Sequence, residues 1–187
     1  TSKYIDLSPS YKVIIPSGLT NYPTISYETD ANSILLESEA TLVTQNAVYT
    51  SDDKVTFKRS LSSDNWYLIS SPLANETFEN IITNNNFASG NNDPTNIGLA
   101  FYDNTIVNVS ERWVYQKSAL SGIVTNGLGM SVKMSSANEE LTFNGDLNSA
   151  NISKPITNGA ESNYNLIGNP FTSYLNSSSF LNANTTE

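Results

Sequence analysis

The chain has 187 residues, nine of them basic and eighteen acidic, which gives a net charge of -9, and it contains neither histidine nor cysteine. Without these two residue types, the chain cannot form a Ser-His-Asp triad, a cysteine nucleophile, a His/Cys zinc site or a disulfide scaffold. The acidic balance also argues against nucleic acid as a partner, because phosphates are bound mainly by cationic side chains. There is no run of 18 apolar residues, so no membrane insertion is expected.

The surface composition indicates the setting. Asparagine alone accounts for 26 residues, while only 14% of the chain is charged, so amides and hydroxyls must cover most of the surface. Such a surface is typical of secreted β proteins, whose turns use Asn, Asp, Ser and Gly for local hydrogen bonds. We therefore expect an extracellular or cell-surface location.

Short apolar stretches in residues 1–54 predict an N-terminal strand-rich segment that packs on, or leads into, a main domain. The candidates are Lys12–Ile15, Thr24–Tyr27, Ser33–Leu36 and Ala40–Thr44. The main domain is expected to span residues 55–187. There, apolar residues alternate with polar or small ones, the pattern of half-buried strands. The clearest cases are Val55, Phe57 and Leu61; Ile97, Leu99 and Phe101; and Met130, Val132 and Met134.

The last of these stretches is followed, across a polar turn, by Leu141 and Phe143, and we interpret the two as a hairpin. Further strands are predicted at Trp66–Ser70, Arg112–Gln116 and Tyr164–Ile167. Many short strands at close spacing predict an all-β fold, an antiparallel β-sandwich of jelly-roll-like type.

Two segments have helical spacing instead. Phe78, Ile81 and Ile82 predict about two helical turns within Asn75–Ile82, with Asn75 as the cap. A second short helix is predicted within Thr172–Leu181, with Leu175 facing inward. Both are expected to connect strands, since they are too short to form a helical layer.

An internal repeat relates residues 66–73 to residues 164–171. Trp-Tyr-Leu-Ile-Ser-Ser-Pro-Leu aligns with Tyr-Asn-Leu-Ile-Gly-Asn-Pro-Phe, and each copy precedes a predicted helix. This long offset suits a duplicated half-domain. Strands follow the first copy but not the second, so we expect a second half that is truncated at the C-terminus. We also expect an exposed sheet edge there, open to a strand-adding protein partner.

The blocks at residues 56–61, 65–72, 127–133, 141–145 and 165–170 carry a family resemblance. They resemble the β-rich domain that precedes the sorting domain in surface proteins of Bacteroidota exported by the type IX secretion system. The resemblance covers roughly residues 55–187. In those relatives the second block is followed by a Gly-Phe-Phe motif and the sorting domain, which are not present in this sequence. The resemblance implies export and display, and no particular catalytic activity.

Exposed aromatic side chains are the candidates for ligand contact, because a flat ring can stack on a sugar face while Asn, Asp or Gln bind its hydroxyls. Trp113, Tyr115, Tyr102 and Trp66 are the residues considered. Trp66 lies in an apolar run and aligns with Tyr164, which favours a place in the core. Trp113 lies in a strand with polar flanks, and Tyr102 stands at a strand end.

Carboxylates give weaker candidates. The acids lie mostly in polar turns and none can be paired from sequence, so a catalytic domain using two facing acids is the least favoured alternative. Residues 84–96 are rich in amide oxygens, which calcium accepts, but include only one carboxylate, Asp93. An exposed loop is the favoured interpretation, with calcium at Asp93 as the alternative and no other cofactor expected.

We therefore predict a non-catalytic module of a secreted surface protein that serves as an adhesion, spacer or glycan-contact domain, with a polysaccharide or cell-surface glycan as its partner. The main alternative is a carbohydrate-binding module that targets an attached polysaccharide-degrading enzyme.

Overall fold

The computed structural model describes residues 12–15, 24–25, 33–44, 54–159 and 161–184. Its strands are β1 (Lys12–Ile15), β2 (Thr24–Ile25), β3 (Ser33–Leu36), β4 (Val43–Thr44), β5 (Lys54–Leu61), β6 (Tyr67–Ser70), β7 (Leu73–Ala74), β8 (Asn96–Tyr102), β9 (Trp113–Lys117), β10 (Gly129–Val132) and β11 (Glu139–Leu147). Its helices are α1 (Phe78–Asn84) and α2 (Ser177–Ala183), with a 3-10 turn at Val109–Glu111. Residues 26 and 27, the end of the predicted strand Thr24–Tyr27, lie outside the described residues.

The strands form two main sheets. One has five strands in the order β1-β3-β5-β11-β7, the other has four in the order β6-β10-β8-β9, and β2 pairs separately with β4. The prediction of an all-β, sandwich-like fold with two short helices is confirmed. The N-terminal strands depart from the antiparallel expectation, since β1 pairs with β3, and β3 with β5, in parallel. More than a dozen residues separate each of these pairs in sequence, as a parallel crossover requires.

One hydrophobic core lies between the sheets. Ile34, Val55 and Phe143 contribute from the five-stranded sheet, while Leu99 and Met130 contribute from the four-stranded sheet. Each of these side chains is at most 2% exposed. The alternation in the sequence therefore assigns the inward face of these strands correctly.

The predicted hairpin is wrong. Met130 and Val132 lie on β10 in the four-stranded sheet, whereas Leu141 and Phe143 lie on β11 in the five-stranded sheet. The polar stretch between them carries the chain from one sheet to the other, with Asn138 in a left-handed turn at φ 61°. The apolar side chains of both strands belong to the same core, but the two strands do not share a hydrogen-bond ladder.

Both helices begin later than predicted. Thr77, not Asn75, caps α1, and its hydroxyl accepts from the Asn80 N–H at 3.2 Å. Asn75 adopts a φ of 57° and cannot begin a helix in that conformation. Helix α2 is capped by Asn176 and buries no side chain, and Leu175, predicted to face inward, is half exposed. No helix in the described parts of the chain is long and apolar enough to cross a bilayer.

Side chains close the part of the β11 edge that no strand covers. The Asn85 amide accepts from the Thr142 N–H at 2.7 Å and donates to the Thr142 carbonyl at 2.8 Å, as a neighbouring strand would. Glu76 accepts from the N–H of Asn144 in the same way. Asn85 is buried, although it lies in the stretch interpreted from sequence as an exposed loop, and Phe87 in that stretch is also buried. The loop interpretation of residues 84–96 is therefore wrong at its N-terminal end.

Candidate functional site

The solvent side of the four-stranded sheet carries an unusual set of side chains. On this side its middle strands carry small residues, Gly98 and Ala100 on β8 and Gly129 and Ser131 on β10, because their larger neighbours point into the core. These four residues are themselves buried. The large apolar and aromatic side chains of this side come from the edge strands β6 and β9 and from the residue before β6.

Tyr102 and Trp113 form the first ring pair. They are directly opposite one another on β8 and β9, and their ring centroids are 5.3 Å apart in an edge-to-face arrangement. The Tyr102 hydroxyl lies 3.1 Å from the hydroxyl of Ser162. Both rings are half-buried, so each has one side packed and another available to solvent.

Trp66 and Tyr115 form the second ring pair, with centroids 5.7 Å apart. Tyr115 follows Trp113 by two residues on β9 and therefore projects from the same side of the sheet. Trp66 is 45% exposed and Tyr115 is 53% exposed. The prediction that Trp66 lies in the core is wrong: its run of apolar neighbours alternates across β6, which leaves Trp66 and Leu68 on the solvent side.

A fifth ring comes from the second repeat copy. The predicted strand at Tyr164–Ile167 is wrong, because only Ile167 forms a bridge, with Leu128 next to β10. The segment nevertheless lies against the sheet, since Leu166 packs over Gly129 so closely that a Cβ at Gly129 would come within 2.5 Å of it. Tyr164 is left 81% exposed. Tyr164 is not among the aromatic residues considered from sequence, although its alignment with Trp66 in the repeat indicates it.

These residues surround a shallow cavity of about 260 Å³, lined by Leu68, Tyr102, Trp113, Tyr164, Asn165 and Leu166. The side chain of Asn165 fixes the crossing segment through hydrogen bonds to the backbone N–H and carbonyl of Thr157, at 3.0 and 2.9 Å. We call Trp66, Tyr102, Trp113, Tyr115 and Tyr164 the aromatic face. All four aromatic residues considered from sequence belong to it.

The proposed calcium ligand is already engaged. Asp93 accepts a hydrogen bond from the ammonium of Lys117 and two from Thr95, at 2.9 Å from the backbone N–H and 2.6 Å from the hydroxyl. These donors, Lys117 first, lower the pKa of Asp93 to about 2. A calcium ion would have to displace the ammonium. Lys117 is distant in sequence, so the local stretch could not indicate this pairing.

Glu76 is a buried acid. Its two carboxylate oxygens accept from the backbone N–H groups of Thr77, at 2.9 Å, and Asn144. Burial raises the pKa of Glu76 against the lowering effect of these bonds. Among the described residues, no three acidic side chains are grouped closely enough to hold a metal ion. The two backbone hydrogen bonds make Glu76 a structural contact at the β11 edge.

A second cavity, also of about 260 Å³, lies between the two sheets beneath residues 169–174. Its walls include the core residues Phe57 and Phe143, and an ion pair between Arg59 and Glu39 borders it. Thr41 also lines it, and the Thr41 hydroxyl is buried without a hydrogen-bond partner. The walls thus combine core side chains with the exposed Leu68 and Tyr174, so this cavity opens from the core to the surface.

Comparison with known proteins gives one family. The model of a domain of unknown function, DUF8693, matches residues 12–187. The chain belongs to the DUF8693 family. No curated protein and no solved structure matches it.

Proposed function

We propose that this member of DUF8693 is a non-catalytic, glycan-contact module of a secreted bacterial cell-surface protein. The observation that carries the proposal is the aromatic face, in which five rings stand on one side of one sheet: they come from β8, β9, the residue before β6 and the second repeat copy. Three of them are about half exposed or more, namely Trp66, Tyr115 and Tyr164. Exposed rings in such a group cost free energy in water unless a ligand covers them.

The chemistry of a sugar fits this arrangement. One face of a pyranose ring presents C–H groups, which pack on an aromatic plane, while its edges carry hydroxyls that need hydrogen-bond partners. The hydroxyl of Tyr102 lies beside the rings, and after its contact with the Ser162 hydroxyl it can still make a further hydrogen bond. Tyr102, Trp113 and Tyr115 are held by β strands, so these rings lose little conformational freedom when a ligand binds.

The setting is part of the same proposal. The charge-poor, amide-rich surface and the resemblance to exported surface proteins of Bacteroidota support an extracellular position, where a glycan would be within reach. The lack of histidine and cysteine in the sequence supports binding without catalysis. The buried acid Glu76 is engaged by backbone N–H groups, which supports a structural part for it.

Intrinsic fluorescence tests the proposal directly, because the only two tryptophans in the chain, Trp66 and Trp113, both belong to the aromatic face. We expect titration with a bound oligosaccharide to change the emission. Trp113→Ala should weaken binding about tenfold, the effect of losing one well-packed ring. The control is Tyr174→Ala, which removes an exposed tyrosine outside the aromatic face and should leave the affinity unchanged. Equal affinity in both variants, or no fluorescence change with any glycan, would overturn the proposal.

A further inference from the structure

The aromatic face is longer than one sugar. Trp113 and Tyr115 are two residues apart on β9, so their Cα atoms are separated by about 7 Å along the strand. Each belongs to a different ring pair, Trp113 with Tyr102 and Tyr115 with Trp66. A single pyranose covers one aromatic ring, and so the two pairs form two neighbouring subsites. Tyr164 extends the subsite of Trp113 across the cavity.

Two of the basic residues beside the rings, Lys117 and Arg112, are already engaged in other contacts. Lys117, on the same side of β9 as Trp113 and Tyr115, is paired with Asp93. Arg112 is 7% exposed and donates to the carbonyls of Ile106, at 2.8 Å, and Val107, at 3.2 Å. To bind a carboxylate or sulfate on a sugar, the Lys117 ammonium would have to leave Asp93, and the Arg112 guanidinium would have to leave its backbone carbonyls.

Acidic residues lie close in sequence to three of the ring residues. Asp64 lies two residues before Trp66, Asp103 directly follows Tyr102, and Glu161 lies three residues before Tyr164. Hydrogen bonds from the hydroxyl and N–H of Thr105 lower the pKa of Asp103, so this group stays ionised. Lys133, half-buried just beyond β10, is outnumbered by these acids. The net charge of -9 for the whole chain adds long-range repulsion of any polyanion.

We infer, building on the proposed function, that the ligand is a neutral glycan chain of several sugar units that occupies both aromatic subsites at once. A uronic acid or sulfated polymer would bring negative charges towards a chain of net charge -9, in which Lys117 and Arg112 are already engaged and Lys133 is the basic side chain left on that side of β10. A free monosaccharide would fill one subsite and lose the gain from linking two.

Affinity electrophoresis in native gels suits an acidic chain of this kind. The probes are four neutral polymers (hydroxyethylcellulose, xyloglucan, galactomannan and laminarin) and two acidic ones (alginate and carrageenan). For each polymer that retards the chain, calorimetry then measures the affinity for its oligosaccharides of increasing length. The variants are Trp66→Ala and Trp113→Ala, one for each subsite, with Tyr174→Ala as control. Circular dichroism confirms that each variant is folded.

Three results support the inference together. First, at least one neutral polymer retards the chain. Second, the affinity rises about tenfold or more from disaccharide to hexasaccharide. Third, each tryptophan variant weakens the binding of the hexasaccharide more than that of the disaccharide, because a disaccharide can still occupy the other subsite. The dissociation constant should change less than about twofold between about 0.05 M and about 0.5 M salt, because no charges are paired.

Other results overturn it in distinguishable ways. Retardation by alginate or carrageenan alone, lost in Trp113→Ala, would refute the neutral class and leave the glycan-binding function in place. Affinity independent of chain length would refute the two subsites. Retardation that survives both tryptophan variants would place binding elsewhere. No retardation by any of the six polymers would refute the proposed function together with this inference.

Discussion

Asn85 offers a sharp test of how the sandwich is held together, because one amide replaces a missing strand at β11. Its side chain makes three hydrogen bonds, to the Thr142 N–H at 2.7 Å, to the Thr142 carbonyl at 2.8 Å and to the Ile81 carbonyl at 2.8 Å. Asn85→Ala removes all three. Because the Thr142 groups are only partly buried, water can reach them in part, and we assign about 1 kcal/mol to each bond, about 3 kcal/mol in total.

A loss of about 3 kcal/mol is a large share of the 5–15 kcal/mol typical of a folded domain, and for a chain of this size it lowers the Tm by about 6–12 °C. Urea unfolding followed by circular dichroism measures the free energy, and hydrogen exchange at the Thr142 amide reports the site itself. Asn84→Ala, an exposed neighbour in α1, is the matched control and should change stability by less than about 0.5 kcal/mol. Equal effects of the two substitutions would refute the reasoning.

Asn85→Asp separates the donor from the acceptor. An ionised aspartate can still accept from the Thr142 N–H, but it cannot donate to the carbonyls of Thr142 and Ile81 and repels both. We expect it to be at least as destabilising as alanine near neutral pH and to recover stability in acid, once the carboxyl is protonated and can donate. No recovery in acid would show that shape, and not donation, decides this position.

Three further predictions concern single polar groups. Thr41→Val should raise the unfolding free energy by about 1 kcal/mol, since the buried hydroxyl has no partner, whereas Thr41→Ser should give no such gain; a destabilised valine variant would contradict this. Because burial raises the pKa of Glu76, protonation of this group stabilises the folded state below its ordinary pKa, and this stability is lost as the pH rises through the folded pKa. Urea unfolding should therefore give a higher free energy at about pH 5 than at about pH 7, and Glu76→Gln should reduce this difference. An identical pH dependence in the variant would contradict the prediction. Because the pKa of Asp93 is lowered, its ionised form stabilises the folded state above the ordinary pKa of 3.8, and this stability is lost as the pH falls through about 2. An NMR titration of the Asp93 carboxyl should therefore have its midpoint at about 2, and calcium or EDTA should leave the Tm unchanged while Lys117 is present. A midpoint near 3.8 or a calcium-dependent Tm would contradict the ion pair.

The faces of the strands could be predicted from the sequence, because burial enforces alternation residue by residue. Leu99, Met130 and Phe143 all point inward as their period predicts. Which strands pair with one another could not be predicted in the same way. The inward faces of β10 and β11 look alike in sequence whether the strands share a sheet or face each other across the core, and only the course of the polar connection decides between the two.

The candidate site was predictable by residue type and not by environment. Trp66 follows the same alternation as its neighbours, but an apolar run at the edge of a sheet carries half of its side chains to the solvent side. Asp93 appeared free of cations because Lys117 is distant in sequence and reaches it from β9. Burial of Asn85 could not be expected from three consecutive asparagines, since only the one that faces Thr142 has backbone groups to satisfy.

The internal repeat is best understood through the aromatic face. The first copy pairs with β10 along residues 67–70, while the second copy meets the start of the same strand through the bridge of Ile167 to Leu128. The copies also touch each other, since the Ser70 hydroxyl donates to the Asn169 carbonyl at 2.9 Å. A side chain at Gly168 would strike Ser70, which explains the glycine in the second copy. The two aligned aromatics, Trp66 and Tyr164, thereby reach the same surface from the two copies. The repeat thus brings two rings to the aromatic face, an arrangement that a core position for these residues would not produce.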